Sequence, residues 1–364
     1  MRNTILQFLA GKNAGLYITS GVFLIALAVT PVSAIFSIIL FITTALLFSG
    51  VLKFKLVDSL SDVTPGSVFV VDGVKTHILA EGEKGTHYPV IWVGGGHGEG
   101  LVMFHLHEMI RTETRSILFD RVGAGWSDLS TLPITIESEV RHLKNLLETA
   151  GEQGPFVLAG HSFGGLFSLN FAHHYPDLVA GLVLMDPTPP VNVSILGNLS
   201  FGRLMQLAPW RALGFHFGLT RVGDPEIDDK TSDFYRCLSQ HAEVINRNSL
   251  QPKSVIAEAA TFRAAMNNPF DMVIGQGALG DIPLRLLLAN PSAEEIASTE
   301  KQLRELLELS PRQESNFWKT LNESNEQQVQ LSGKGEKVLA PAGSSHMFPY
   351  EHPGFVIDHV RQLI

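Results

Sequence analysis

Gly160-His161-Ser162-Phe163-Gly164-Gly165 is the stretch that decides the reading of this chain. It follows Phe156-Val157-Leu158-Ala159, an apolar run of the length a buried strand takes, and it opens a helical pattern over 163–175. A Gly-x-Ser-x-Gly segment between a strand and a helix predicts a sharp turn with the serine at its tip. The turn forces its middle residue into strained backbone angles, so the neighbours must lack bulk. The Ser162 hydroxyl then stands above the sheet edge. The helix amino terminus behind it directs backbone N–H groups toward any negative charge that develops there.

Outward from this turn the chain alternates strand and helix. Val68–Val71 and His77–Ala80 flank Asp72-Gly73, a hairpin signal. Val90–Val93, Ser116–Phe119, Leu182–Met185, Leu284–Leu288 and Lys337–Ala340 read as further strands. Val140, Leu143, Leu146 and Leu147 recur at helical spacing, and Pro353 opens a closing helix. This order predicts an α/β fold with a mostly parallel central sheet and helices on both faces. Its reactive loops lie at the carboxyl ends of the strands. Residues 187–280 break the alternation and read as an inserted helical cap, rich in bulky apolar residues such as Trp210, Phe215 and Phe262.

A serine hydroxyl needs a base to become a nucleophile. Of the 14 histidines, His346 has the fitting place. It lies in Ala340–Phe348, after the last predicted strand and before the closing helix, on the same sheet edge as Ser162.

Five segments together resemble the α/β-hydrolase family of serine hydrolases, esterase- and lipase-like. They are Gly94-Gly95-Gly96-His97-Gly98, Asp120–Ser127, Gly160–Gly165, Leu182–Pro187 and Ser345–Pro353. The resemblance spans 67–364 and implies a catalytic core of 67–186 and 281–364 around the cap. It implies an oxyanion hole made by the backbone N–H of Phe163 and that of Gly95, with Gly96 as the alternative. It also makes Asp120 and Arg121 loop braces. Most relatives carry the third triad member after the strand that follows the cap. Here that place reads Asn290-Pro291-Ser292, with Glu294 and Glu295 the nearest carboxylates. Some members place the acid at the end of the strand before the cap, where this chain has Asp186. Asp186 is the preferred acid, with Glu294 or Glu295 as the alternative.

Composition restricts the rest. The 364 residues are 45% apolar and 17% charged, with one cysteine and a net charge of -9. That excludes a disordered chain, a disulfide framework and a broad basic surface for nucleic acid. No metal or organic cofactor is implied. The mean hydropathy of +0.16 is high for a soluble domain. Much of the excess lies in residues 13–52, which contain no Asp, Glu, Lys or Arg. One helix of that length would be about 60 Å long, twice the hydrocarbon thickness, and Pro31 interrupts it. Residues 1–56 therefore predict a membrane anchor, a transmembrane helical hairpin with spans of about 15–30 and 32–52. The alternatives are a signal peptide cleaved near Val32-Ser33-Ala34 and a re-entrant hairpin. Arg2, Lys12, Lys53 and Lys55 flank the pair, which predicts an integral membrane protein with a cytoplasmic catalytic domain.

These readings predict a membrane-anchored serine hydrolase with membrane lipids and a lipophilic acyl substrate as partners. The first alternative keeps the site for amide, thioester or C–C cleavage or for acyl transfer. The second is a non-catalytic, membrane-tethered binding protein on a hydrolase scaffold.

Overall fold

Asp72 and Gly73 both take positive φ, 51° and 79°, which is the geometry of a tight two-residue turn. The turn closes β1 (Ser67–Val71) on β2 (Val74–Glu81) in antiparallel register, with Val71 opposite Val74. The computed structural model describes residues 2–11, 13–29, 34–59, 64–85, 87–96, 98–189, 206–217, 232–238, 241–249, 251–267, 276–294, 296–298, 301 and 310–364. The remaining strands are β3 (Val90–Val93), β4 (Ser116–Phe119), β5 (Phe156–His161), β6 (Val179–Met185), β7 (Leu284–Leu288) and β8 (Gly335–Leu339). They form one eight-stranded sheet in the order β1-β2-β4-β3-β5-β6-β7-β8. β2 pairs antiparallel with β4, and every pairing from β4 to β8 is parallel. The carboxyl ends of β3, β5, β6, β7 and β8 thus share one edge.

The central strands are buried on both faces, as continuous apolar runs demand. One face is covered by α5 (Ile136–Thr149) and α6 (Phe163–His174), whose Leu143, Leu146, Phe167 and Phe171 pack on Ile91 and Leu158. Thr135 starts α5 with a reciprocal capping box to Ser138. The other face is covered by α4 (Phe104–Ile110) and α13 (Pro353–Arg361), through Leu106, Ile110, Val356 and Val360.

Between β6 and β7 the chain carries α7 (Ala208–His216), α8 (Asp233–Leu238), α9 (Ala242–Ser249) and α10 (Pro252–Asn267). Within the predicted cap, 190–205, 218–231 and 268–275 lie outside the described residues. α10 is fastened to the loop after β4, where the Lys253 ammonium donates to the Gly125 and Ser127 carbonyls at 2.7 Å each. α11 (Pro311–Val329) and α12 (Phe348–Glu351) flank β8.

The amino-terminal segment forms α1 (Arg2–Ala10), α2 (Ala14–Val29) and α3 (Ala34–Ser59), with α2 and α3 packed on each other. The predicted transmembrane hairpin is not supported by the described residues. Among the described residues no helix is long and apolar enough to cross a membrane. α2 ends at Val29 and is about 24 Å long, short of the roughly 30 Å of hydrocarbon. The side chains of α3 are described over 38–52, and residues 30–33 of the predicted turn lie outside the described residues. The pair rests on the cap. A Cβ on Gly15 would come within 2.8 Å of the His216 Cβ, and one on Gly50 within 2.1 Å of the Phe217 carbonyl oxygen. The His216 ring nitrogen Nε2 bonds the Leu9 carbonyl at 2.8 Å.

Candidate active site

Ser162 sits between β5 and α6 with φ 53° and ψ −120°. That conformation costs a non-glycine residue about 1–3 kcal/mol, so the surroundings must hold it. They do so with three backbone bonds. The Ser162 N–H donates to the Met185 carbonyl at 3.0 Å, and its carbonyl accepts from Gly165 at 3.0 Å and Thr188 at 2.9 Å. The glycines that follow are required by close approach. A Cβ on Gly164 would lie 2.1 Å from the Val93 carbonyl oxygen, and one on Gly165 2.5 Å from the Pro187 Cβ.

His346 lies in the loop after β8. Glu351 holds that loop by accepting from the Ser345 N–H at 2.9 Å and from its hydroxyl. The loops after β7 and β8 are tied together by Asn290, whose side-chain amide donates to the Ala340 carbonyl at 3.1 Å. His346 Nδ1 meets Asp186 Oδ2 at 2.6 Å. Asp186 directly follows β6, takes a positive φ of 41°, and accepts from the Ala289 N–H at 3.3 Å through its other oxygen. Burial pushes the Asp186 carboxyl up, but the His346 hydrogen bond and charge, with the Ala289 N–H, outweigh it and hold the group below its usual value. An ionised Asp186 places the ring proton on Nδ1 and leaves Nε2 as the acceptor. Among the described residues, Asp186 is the one of the three carboxylates left open by the sequence that meets His346. Glu294 is exposed, and Glu295 lies outside the described residues.

Sequence reasoning missed the role of His161. Its Nε2 bonds the His346 carbonyl at 2.9 Å, and the two rings lie 4.7 Å apart. Burial drives its pKa down to about 3, with the neighbouring His346 charge acting the same way, so the ring stays neutral at physiological pH. His105, in contact with Tyr350, is likewise pushed down to about 4 by burial. A neutral His161 supports the His346 backbone without adding charge beside it. The contact joins residues 185 positions apart, which no local pattern signals.

The glycine turn after β3 closes the site from the other side. A Cβ on Gly95 would lie 3.6 Å from the Ser162 Cβ, in ordinary contact. His97 lies outside the described residues. Phe163 is buried at the start of α6, and Phe262 of α10 packs over it with ring centroids 5.1 Å apart. Asp120 braces the loops after β3 and β4. Its carboxylate accepts from the Gly100 N–H at 2.8 Å and the Trp126 N–H at 2.9 Å and pairs with buried His77 at 2.8 Å. Cys237 donates to the Tyr350 carbonyl at 3.3 Å. Among the described residues no group of His, Cys, Asp and Glu is arranged to hold a metal ion.

Residues 88–224 match the family model described as alpha/beta hydrolase fold. Over 199 residues the chain is 29% identical to a (lyso)-N-acylphosphatidylethanolamine lipase of Bos taurus, covering 50% of this chain and 56% of that one. Over 68 residues it is 46% identical to lipase LipV of Mycobacterium tuberculosis, covering 19% and 25%. A thermophilic esterase from Thermogutta terrifontis superposes with a TM-score of 0.54 at 20% identity, over 82% of this chain and 97% of that one. The chain spans between a quarter and a little over half of the length of the curated relatives it matches. The sheet order, the family-model match over 88–224 and this likeness give the chain the alpha/beta hydrolase fold.

Proposed function

We propose that this protein is a serine hydrolase that cleaves a lipophilic carboxylic ester. The observation that carries the reading is the 2.6 Å contact of Asp186 with His346 on the same sheet edge as Ser162, held at positive φ. In the proposed reaction His346 Nε2 takes the proton from the Ser162 hydroxyl as Oγ attacks the ester carbonyl carbon. The backbone N–H groups of Phe163 and Gly95 donate to the oxyanion, each contributing on the order of 3 kcal/mol. His346 returns the proton to the departing alcohol. Water, deprotonated in turn by His346, then cleaves the acyl-enzyme and restores Ser162. Asp186 keeps the ring oriented and stabilises its charged form throughout.

The lipophilic character of the substrate is supported by the aromatic roof that Phe262 forms and by the amino-terminal pair. Tyr17, Leu24, Ile25, Ile38, Ile42 and Leu46 are all more than half exposed on α2 and α3. Between the two helices lies a groove of about 500 Å³ whose lining includes Leu16, Phe23, Phe41 and Phe48. An uncharged apolar surface of this kind is proposed to rest against membrane lipid, with the catalytic core proposed on the cytoplasmic side, where an anionic leaflet attracts the flanking basic residues.

The test is a fluorophosphonate probe with peptide mapping, beside turnover of a chain-length series of p-nitrophenyl esters. Labelling at Ser162, with activity lost in Ser162→Ala, is the expected result. Full esterase activity in Ser162→Ala would refute the reading.

A further inference from the structure

We propose that Arg121 is a positioning residue that sets both walls of the oxyanion site. The inference rests on the proposed roles of Ser162, Phe163 and the glycine turn. Arg121 is 6% exposed and lies behind that turn. One of its nitrogens, Nη2, donates to two successive carbonyls, those of Gly95 at 2.5 Å and Gly96 at 2.8 Å. Its guanidinium carbon also lies 5.0 Å from the centroid of the Phe163 ring. One side chain therefore touches the residues proposed to supply both oxyanion donors.

The physical need is specific. Consecutive glycines let a peptide plane rotate at little cost. In a trans peptide the carbonyl and the following N–H point in opposite directions. The Gly95 carbonyl, bound by Arg121 and by the Gly98 N–H at 3.2 Å, therefore fixes the plane that carries the Gly96 N–H, the alternative donor, and through the Gly95 α-carbon limits the plane that carries the Gly95 N–H. Without the guanidinium the Gly98 N–H alone holds the first of these planes, and the plane of the Gly96 carbonyl loses its Arg121 bond. On the Phe163 side the cation over the ring holds the first turn of α6 against the glycine turn.

The surroundings are shaped for this side chain. The Arg121 N–H donates to the Gly98 carbonyl at 2.9 Å, and a Cβ on Gly98 would lie 2.7 Å from Arg121 Nε. Burial opposes the positive charge, and the carboxylates of Glu139 on α5 and Glu258 on α10 favour it. Glu258 Oε1 and the Phe262 ring both lie within 4 Å of the position a Gly96 Cβ would take. The cap therefore supplies part of the environment that keeps a buried guanidinium in place, which a burial cost alone would oppose.

The experiment compares Arg121→Met and Arg121→Lys with the unaltered full-length chain. Active sites are counted by fluorophosphonate titration to its end point, and turnover is measured with a p-nitrophenyl ester. A trifluoromethyl ketone serves as the mimic of the tetrahedral species. In Arg121→Met, kcat per titrated site falls about 10- to 100-fold, less than deletion of a donor, with KM within about threefold. Affinity for the ketone falls by the same factor. Arg121→Lys recovers part of the loss, because a single ammonium cannot reproduce the planar contact. A structural brace alone would lower the melting temperature while leaving kcat per site and ketone affinity unchanged, and that result overturns the proposal. Where Arg121→Met does not fold, Arg121→Lys decides, since wild-type kcat and ketone affinity in that variant overturn it too. Activity retained in Ser162→Ala is a separate failure, that of the nucleophile.

Discussion

Asp186→Asn is the substitution that bears hardest on the proposed chemistry. The change keeps shape and removes one negative charge. The His346 and Asp186 side chains are 49% and 26% exposed, so part of their pairing is screened by water. A hydrogen bond to a charged group still contributes about 1.5–3 kcal/mol, or roughly 10- to 150-fold in rate. The amide adds a second loss. Its NH₂ can face Nδ1 only if the ring proton moves to Nε2, and a ring protonated there cannot accept the serine proton. The two effects together predict a fall in kcat of about 10³- to 10⁴-fold, with KM changed by no more than about threefold. The assay is p-nitrophenyl ester turnover per fluorophosphonate-titrated site, with Glu294→Gln and Glu295→Gln measured beside it. Both Glu variants are expected to turn over like the unaltered chain. Retention of more than about a tenth of kcat in Asp186→Asn, or a comparable loss in either Glu variant, would show that the acid lies elsewhere.

His161 and His105 have pKa values of about 3 and about 4, both below the ordinary 6.5. As pH falls below about 6.5 the unfolded chain binds protons that the folded chain refuses, so stability is full above that pH and declines toward pH 4. Each histidine accounts for about 1.4 kcal/mol per pH unit, or about 2 kcal/mol between pH 6.5 and 5. Denaturant titrations should show this decline, and His105→Phe should flatten it by one histidine's worth; identical midpoints at pH 7 and pH 5 would contradict the argument. A side chain at position 50 would meet the Phe217 carbonyl, so Gly50→Val should raise hydrogen exchange across 206–217 while Ser162 labelling persists. Unchanged exchange there would mean that α3 does not bear on the cap.

The strands were legible where apolar residues dominate a short run. Ser116–Phe119 and Leu284–Leu288 are mostly apolar four- and five-residue runs, and their bounds coincide with β4 and β7. β6 begins three residues earlier than Leu182 because Val179 and Gly181 also pair, with Leu363 filling the space beside Gly181. β8 starts at Gly335, where half-exposed residues at the sheet edge give no apolar signal. The places of Ser162 and His346 after β5 and β8 were legible because the turn and the last loop have local signatures. Asp186 was one of three open carboxylates, since its contact with His346 spans 160 positions. The grip of Arg121 on Gly95 and Gly96 was invisible for the same reason. The amino-terminal run announced its apolarity through composition, but composition could not say how long each helix would be.

The seating of Gly15 and Gly50 on α7 carries a mechanical consequence. A Cβ at either glycine would overlap the chain at His216 or Phe217, so the apolar pair and the roof of the site meet backbone to backbone. A shift of the pair therefore reaches α7 with no long side chain between to absorb it.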